Sequence, residues 1–257
     1  MYRRALRRIA VVLGLAAGGC SSLSGREGPQ AQVWDTAAEA QVIEALEAAH
    51  AAAETLQGYT CRFYRHERVG GYLGARQQME VKFRRRPFSL YLRWVGPARA
   101  GAEFLYVAGR YEDKAFARPG GPVGWFVRTA RLRLDDPLIV EGSRHPVTRF
   151  GVESATKMLL ESVRRAQGVS GFRARRLGSG EVHGEPARGF EMVLPDGHEF
   201  YARRVRVWFD PATQLLKGIE AYGDADELLE DYAFTRLRPN VRFTDADFNP
   251  DNPAYGF

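Results

Sequence analysis

The sequence predicts a mainly β protein of α+β type: one large, curved antiparallel sheet with an apolar and a polar face, and two helices to cover the apolar face. Three observations carry this reading. Apolar residues alternate with polar ones over most of residues 59–237, the period of a half-buried strand. Two stretches, one before the alternation and one inside it, switch to a 3–4 spacing. Most alternating runs are joined by short turn sequences, which favours a meander over a sandwich.

The elements follow in order. Thr36 and Glu39 have capping-box spacing. Val42, Ile43, Leu46, Ala49, Ala53 and Leu56 then recur at helical spacing, giving a helix over 36–56 that Gly58 ends. From Tyr59 the period is two. "QQMEVKFRRRP" sets Met79, Val81 and Phe83 on one face and Gln78, Glu80, Lys82 and Arg84 on the other. "FSLYLRWV" sets Phe88, Leu90, Leu92 and Trp94 together, opposite Ser89, Tyr91 and Arg93, and Arg86-Pro87 joins the two runs as a hairpin. "EFLYVAGRY" is a further strand, "PGGPVG" a turn or flap, and "WFVRTARLRL" a continuation of the sheet. A second helix carries the stripe Val152, Ala155, Leu159, Val163 and Ala166, with Glu153 and Arg164-Arg165 placed to suit its dipole. Five strands close the sequence: 175–183, 186–194, 200–209, 215–222 and 229–237. "FDPATQ" and "GDADE" are turns between them. The total is about ten strands and two principal helices. In the ending "NPDNPAYGF" the prolines disfavour helix, and Tyr255 and Phe257 are expected to tuck against the domain.

The first residues read as an export signal. Arg3, Arg4, Arg7 and Arg8 precede an apolar run from Ile9 to Ala17 that is too short to span a bilayer, then Gly18, Gly19 and Cys20. A cysteine after such a run resembles a bacterial lipobox, although Ala17 stands where that signal usually has Leu. The resemblance implies a signal peptide over 1–19 and acylation of Cys20. It also implies anchoring on the periplasmic side of the envelope, at the outer membrane because Ser21 and Ser22 follow. Residues 20–34, rich in Ser, Gly and Gln, form the lipidated tether, and 35–257 a single domain.

Composition narrows the function classes. Of 37 Lys+Arg, four precede Cys20 and no acid does, so the remainder carries 33 basic against 31 acidic residues. That balance argues against nucleic acid as a partner. There is no CxxC and no HExxH, and the five histidines are scattered, so neither a metal nor another cofactor is expected. With Cys20 acylated, Cys61 has no disulfide partner and reads as a small buried apolar residue.

The helix followed by "YTCRFYRHERVGG", then "MEVKFRRRPFSLYLRWVGP", "SRHPVTRFG" and "FTDADFNPDNPAYGF", resembles the bacterial family called domain of unknown function 1571 over most of the mature chain. That family is similar in build to the lipoprotein carriers LolA and LolB, half-barrels whose concave apolar face is covered by helices and holds acyl chains. The resemblance implies a LolA-like half-barrel and a place in the envelope, not a reaction.

Two sets of residues are candidates for function. Phe83, Leu90, Leu92, Trp94, Phe104, Tyr106 and Trp125 lie on the apolar side of the sheet. They line a cavity for an acyl chain or other lipid if the face is open, and form a packed core if it is not; alternation is the same in both cases. Arg93 and the "SRHP" stretch, with Arg144 and His145, form a polar rim. Arg144 and His145 either meet a phosphate or carboxylate or serve the fold through an ion pair. "GVSGF" and "LGSGE" lack the spacing of a nucleophile elbow, so the chain is not read as an enzyme. "KFRRR", "RLR", "RARR" and "RRVR" either face anionic lipid headgroups or guard sheet edges. The function expected is an anchored envelope lipoprotein that binds or carries a hydrophobic ligand, a lipid or a lipoprotein's acyl chain. The alternative is a non-catalytic scaffold with a packed core. Oligomeric state is not written in the sequence.

Overall fold

The computed structural model describes residues 34–126, 129–140, 142–196 and 200–257. The expected signal peptide, Cys20 and all of the tether but Trp34 lie outside the described residues. The chain begins with α1 (Thr36–Glu54), β1 (Gly58–Val69), β2 (Tyr72–Leu73), β3 (Gln77–Arg84), β4 (Ser89–Trp94) and β5 (Glu103–Val107). Next come β6 (Lys114–Arg118), α2 (Val123–Phe126), β7 (Ala130–Arg133), α3 (Pro137–Val140) and α4 (Val152–Ala166). It ends with β8 (Arg173–Val182), β9 (Glu185–Val193), β10 (Arg204–Phe209), β11 (Leu216–Tyr222) and β12 (Leu228–Pro239).

All twelve strands join one antiparallel sheet in the order β7-β6-β5-β4-β3-β1-β12-β11-β10-β9-β8, with β2 paired to β1. The chain starts at the centre of this sheet and winds out to β7. It crosses on α4 to the far edge at β8, then winds back to lay β12 beside β1. The result is an open half-barrel. "RLR" and "RARR" fall in β7 and β8, the two edges, where rows of arginine disfavour pairing with another strand.

The helices cover the concave face. Val42, Leu46, Ala49 and Ala53 of α1 and Val152, Thr156, Leu160 and Val163 of α4 are buried there. Each fully buried Val or Leu contributes roughly 1.5–3 kcal/mol. Thr156 Oγ1 donates to the Val152 carbonyl at 2.6 Å, which lets a hydroxyl sit in the core. Arg85 ties the helices together. Its guanidinium donates to the Ala53 and Leu56 carbonyls at the end of α1 and pairs at 2.7 Å with Glu153 in the first turn of α4. Both contacts follow the dipole preference of helix ends.

Several expectations are corrected. The N-cap of α1 is Asp35, whose Oδ1 accepts from the Ala37 amide at 2.8 Å, so Thr36 is already helical. Gly58 opens β1 instead of closing the helix, which ends at Glu54 with Thr55 as its C-cap; a Cβ at Gly58 would lie 2.8 Å from the Val241 carbonyl. The stripe of α4 is rotated: Ala155 and Leu159 are only partly buried, and Thr156 and Leu160 take the central places. Trp125 lies in α2, not in a strand, and the sheet resumes only at Ala130. β2 and β6 were not expected, and 200–203 precede β10 instead of belonging to it.

The convex face is not uniformly polar. Tyr91, Leu105 and Val107 form a second apolar cluster closed by Phe248, with Phe243, Tyr255 and Phe257 packed around it. The Tyr255 ring stacks on Tyr91 with centroids 4.0 Å apart, and the Gly256 amide donates to Glu103 at 2.6 Å. Across β8–β10, Trp208 covers glycines. A Cβ on Gly189 would sit 2.5 Å from its ring, and one on Gly180 2.9 Å. Replacing Gly189 by Ala therefore overpacks this site. The Gly189→Ala variant should lose about 1–3 kcal/mol in urea unfolding with unchanged m-value; an unaltered midpoint contradicts the packing described.

Candidate functional site

The apolar parity of two central strands turns polar at one end. On β1 the concave side reads Tyr59, Cys61, Phe63, Arg65, Glu67, and on β12 Phe234, Tyr232, Glu230. The register sets Glu67 directly opposite Glu230, and both are buried. Two facing carboxylates in a core are tolerated only when each is bonded. Glu67 accepts from the Tyr232 and Ser143 hydroxyls, the latter at 3.4 Å, and lies 3.6 Å from Arg65. Glu230 Oε2 accepts from the Tyr201 hydroxyl at 2.5 Å and lies 2.9 Å from His145 Nε2. Arg144 Nε donates to the Tyr201 oxygen, and its Nη1 donates to the Arg68 carbonyl at 2.5 Å. A chain of hydrogen bonds thus runs from Arg144 through Tyr201 to the accepting carboxylate of Glu230.

Electrostatics keeps the two phenols protonated and Arg144 charged. Burial raises the Tyr201 and Tyr232 phenols well above their usual value, and the Glu230 charge raises both further. Both remain donors. Burial opposes the charge of Arg144, but Tyr201 and Glu230 outweigh it and raise its pKa. Ser143 and His145 face different carboxylates, so no Ser–His relay forms.

An apolar cleft leads from this cluster beneath α4. It is lined by Leu159, Val163, Met192, Leu194, Ala202 and Val205, with Tyr201 and Glu230 at its polar end, and encloses about 40 Å³. That is the space of about one water.

The structure divides the expected site. Phe83, Leu90, Leu92, Trp94, Phe104 and Tyr106 share the concave face, are all under 9% exposed, and do not line that cleft. Trp94 also donates at 2.7 Å to Gln77, which accepts from Arg65, linking it to the charged cluster. Arg144 and His145 meet at that cluster. Arg93 does not: it is exposed on the convex side, opposite Glu80 and Glu103. Cys61 is buried, and burial pushes its thiol pKa far up, so it is no nucleophile. Glu67, Tyr201, Glu230 and Tyr232 were missed. The available signal was a charge at an apolar-parity position in both β1 and β12. Among the described residues, no group of His, Cys, Asp or Glu is placed to hold a metal ion. No helix among them is long and apolar enough to cross a membrane.

Residues 56–257 match the family model described as "Protein of unknown function (DUF1571)". The chain belongs to this family. Comparison with curated proteins found no match. Among solved structures, MucB is 16% identical with a TM-score of 0.50, over 82% of this chain and 62% of MucB. The chain thus spans less than two thirds of MucB's length. The lipoprotein LppX of Mycobacterium tuberculosis is 14% identical with a TM-score of 0.46, over 80% of this chain and 99% of LppX. A LolA superfamily protein from Nitrosomonas europaea is 13% identical with a TM-score of 0.33, over 82% of this chain and 98% of that one. At these identities the likeness is one of fold.

Removing Glu230 leaves His145 and Tyr201 without their shared partner and takes away the charge 4.0 Å from Arg144. Glu230→Ala should cost about 1–3 kcal/mol of stability. Tyr201→Phe should cost less in that background than alone, by about 1 kcal/mol, in a double-mutant cycle read by denaturant unfolding. Strict additivity contradicts a coupled cluster.

Proposed function

We propose that this is an exported envelope lipoprotein, held by lipid on Cys20, whose half-barrel binds a hydrophobic ligand with a polar head. One observation carries the reading: the apolar cleft beneath α4 ends on the Arg144–Tyr201–Glu230 chain. An apolar slot with a few convergent polar groups is the form that amphipathic ligands occupy. With α4 in place the cleft of about 40 Å³ is too small for an acyl chain. Binding therefore requires α4 to swing away from Met192, Leu194 and Val205. The opened face would continue over Leu92, Trp94, Phe104 and Tyr106, the surface that holds acyl chains in the LolA-like build. His145 and Arg144 would then meet the head group.

Native mass spectrometry of protein extracted from its own envelope should show lipid adducts. Ala202→Trp, which fills the cleft, should lower their occupancy at least about tenfold while the fold persists. Repeated absence of any adduct from the unaltered protein overturns the ligand reading. Anchoring is tested separately: radiolabelled palmitate should enter the protein and be lost in Cys20→Ser, and label retained in that variant, or absent from both, removes the anchor.

A second reading is an interaction protein with a filled core. It is favoured by the burial of Phe83, Leu90, Leu92, Trp94, Phe104 and Tyr106. Crosslinking in intact envelopes that traps a protein partner, with no lipid adduct, selects it.

A further inference from the structure

The apolar concave face ends in a group of donors that the reading above does not use. Trp94 closes the β4 row Leu90, Leu92, Trp94, and Arg65 continues the β1 row Tyr59, Cys61, Phe63. Gln77, the cross-strand partner of Arg65, joins the two rows. Its Oε1 accepts from Trp94 Nε1 at 2.7 Å and from Arg65 Nη2 at 2.9 Å. Those two donors fix the orientation of the amide, and Gln77 Nε2 makes no hydrogen bond among the described residues. Arg65 Nε is buried and has no partner either, although buried polar atoms are nearly always bonded.

Arg99 completes the group. It stands in the turn between β4 and β5 with a φ of 63°, a backbone region that side chains seldom adopt. The turn is held from outside. The Gly121 amide donates to the Ala100 carbonyl at 2.9 Å, and a Cβ on Gly120 would lie 2.4 Å from the Arg99 carbonyl. So placed, the Arg99 guanidinium lies over the Trp94 ring, with its Cζ 4.7 Å from the centroid. The side chain is open to solvent and makes no hydrogen bond or ion pair among the described residues. Partial burial and then the Arg65 charge lower the Arg99 pKa. The carboxylate nearest Arg65, Glu67 at 3.6 Å, already accepts from Tyr232 and Ser143. Arg65 and Arg99 set against Glu67 leave a positive charge over at the end of the apolar face.

We infer that this end of the face binds a phosphate group, held by the guanidiniums of Arg99 and Arg65 with Gln77 Nε2 as a further donor and Trp94 as the backing of Arg99. The inference rests on the ligand reading above and makes the ligand's polar head an anion. Arg65 Nε, covered while the face is closed, becomes a donor when it opens. A phosphate offers oxygens to both planar guanidiniums and is the acceptor that these donors lack. It also cancels the repulsion between the two cations. An attached alkyl chain would run from Trp94 along Leu92 and Leu90. The phosphate is carried either by a lipid head group or by a free phosphate compound.

The test is a titration of the purified full chain with n-octyl phosphate. The neutral amphiphile n-octyl glucoside and the tail-less anion inorganic phosphate serve as comparisons. The indole N–H resonance of Trp94, assigned by its loss in Trp94→Phe, is the readout. A saturable shift is expected with n-octyl phosphate, at an affinity at least about tenfold above that of n-octyl glucoside. Arg99→Gln should lose about tenfold in affinity for n-octyl phosphate and none for n-octyl glucoside. The Arg99 side chain has no polar partner to lose, so this variant should fold with the parent's thermal midpoint. Arg99→Lys, which keeps the charge, should recover part of the affinity. Tighter binding of n-octyl phosphate than of inorganic phosphate identifies a lipid head group as the source. Binding of inorganic phosphate alone, weakened in Arg99→Gln, upholds the phosphate site with a free phosphate compound as its occupant and counts against the ligand reading. Equal affinity for n-octyl phosphate and n-octyl glucoside, or an unchanged affinity in Arg99→Gln, overturns the inference while leaving the ligand reading in place. No shift with either phosphate also overturns it.

Discussion

The pairing of β1 with β12 holds the two halves of the sheet together, and its register decides what each face presents. Phe63 stands opposite Phe234 and Glu67 opposite Glu230 on the concave side; Tyr64 stands opposite Ala233 and His66 opposite Asp231 on the convex side. Side chains alternate along a strand, so a slip of one residue would exchange these sets. The stacked Phe63 and Phe234 rings, 4.9 Å apart, and the contact of Phe63 with Phe150 beyond the sheet make the slipped register costly. The buried charged cluster follows from that one alignment.

The concave face is closed by two helices that differ in how they are held. α1 is anchored through fully buried Val42, Leu46, Ala49 and Ala53, with Asp35 capping its start. α4 has a narrower buried stripe, and contacts at its ends help fix it: Arg85 with Glu153 at one and Arg164 with Glu47 at 2.7 Å at the other. The segment leading into α4 is fastened by Ser143, Arg144 and His145 to Glu67, Tyr201 and Glu230. Any outward movement of α4 must disturb a charged cluster buried beside it, so the same residues that would meet a ligand's head also resist opening.

Much of this was legible in the sequence. The β3–β4 hairpin was clear because Met79, Val81, Phe83, Leu90, Leu92 and Trp94 keep a strict period of two. β6 was hidden because "KAFAR" buries only Ala115 fully and gives little alternation. The cap of α1 was ambiguous by one residue, since Asp35 and Thr36 both favour that place and only the backbone chooses. The charged cluster was illegible for a physical reason. Glu67 and Glu230 violate the apolar pattern, and their meeting depends on a pairing between the two ends of the domain. The second apolar cluster escaped notice because Phe248, Tyr255 and Phe257 belong to a segment without periodicity. Arg144 and His145 were found because "SRHP" was a dense polar motif before a helix, although their partners were not.

The central seam also orders events in time. Arg62 and Thr235, which bond across it, are 173 positions apart. Closing so long a loop is slow, and folding rates fall as contacts become less local. β1 and β3–β7 can form a half-sheet as soon as they are made, but one side of the twelve-residue β1 then waits for the last strand. During that interval the future middle of the molecule is its most adhesive edge. Among the described residues the main path of the finished sheet ends in β7 and β8, both lined with arginine. The period of greatest exposure to wrong partners therefore falls before the C-terminal strand arrives.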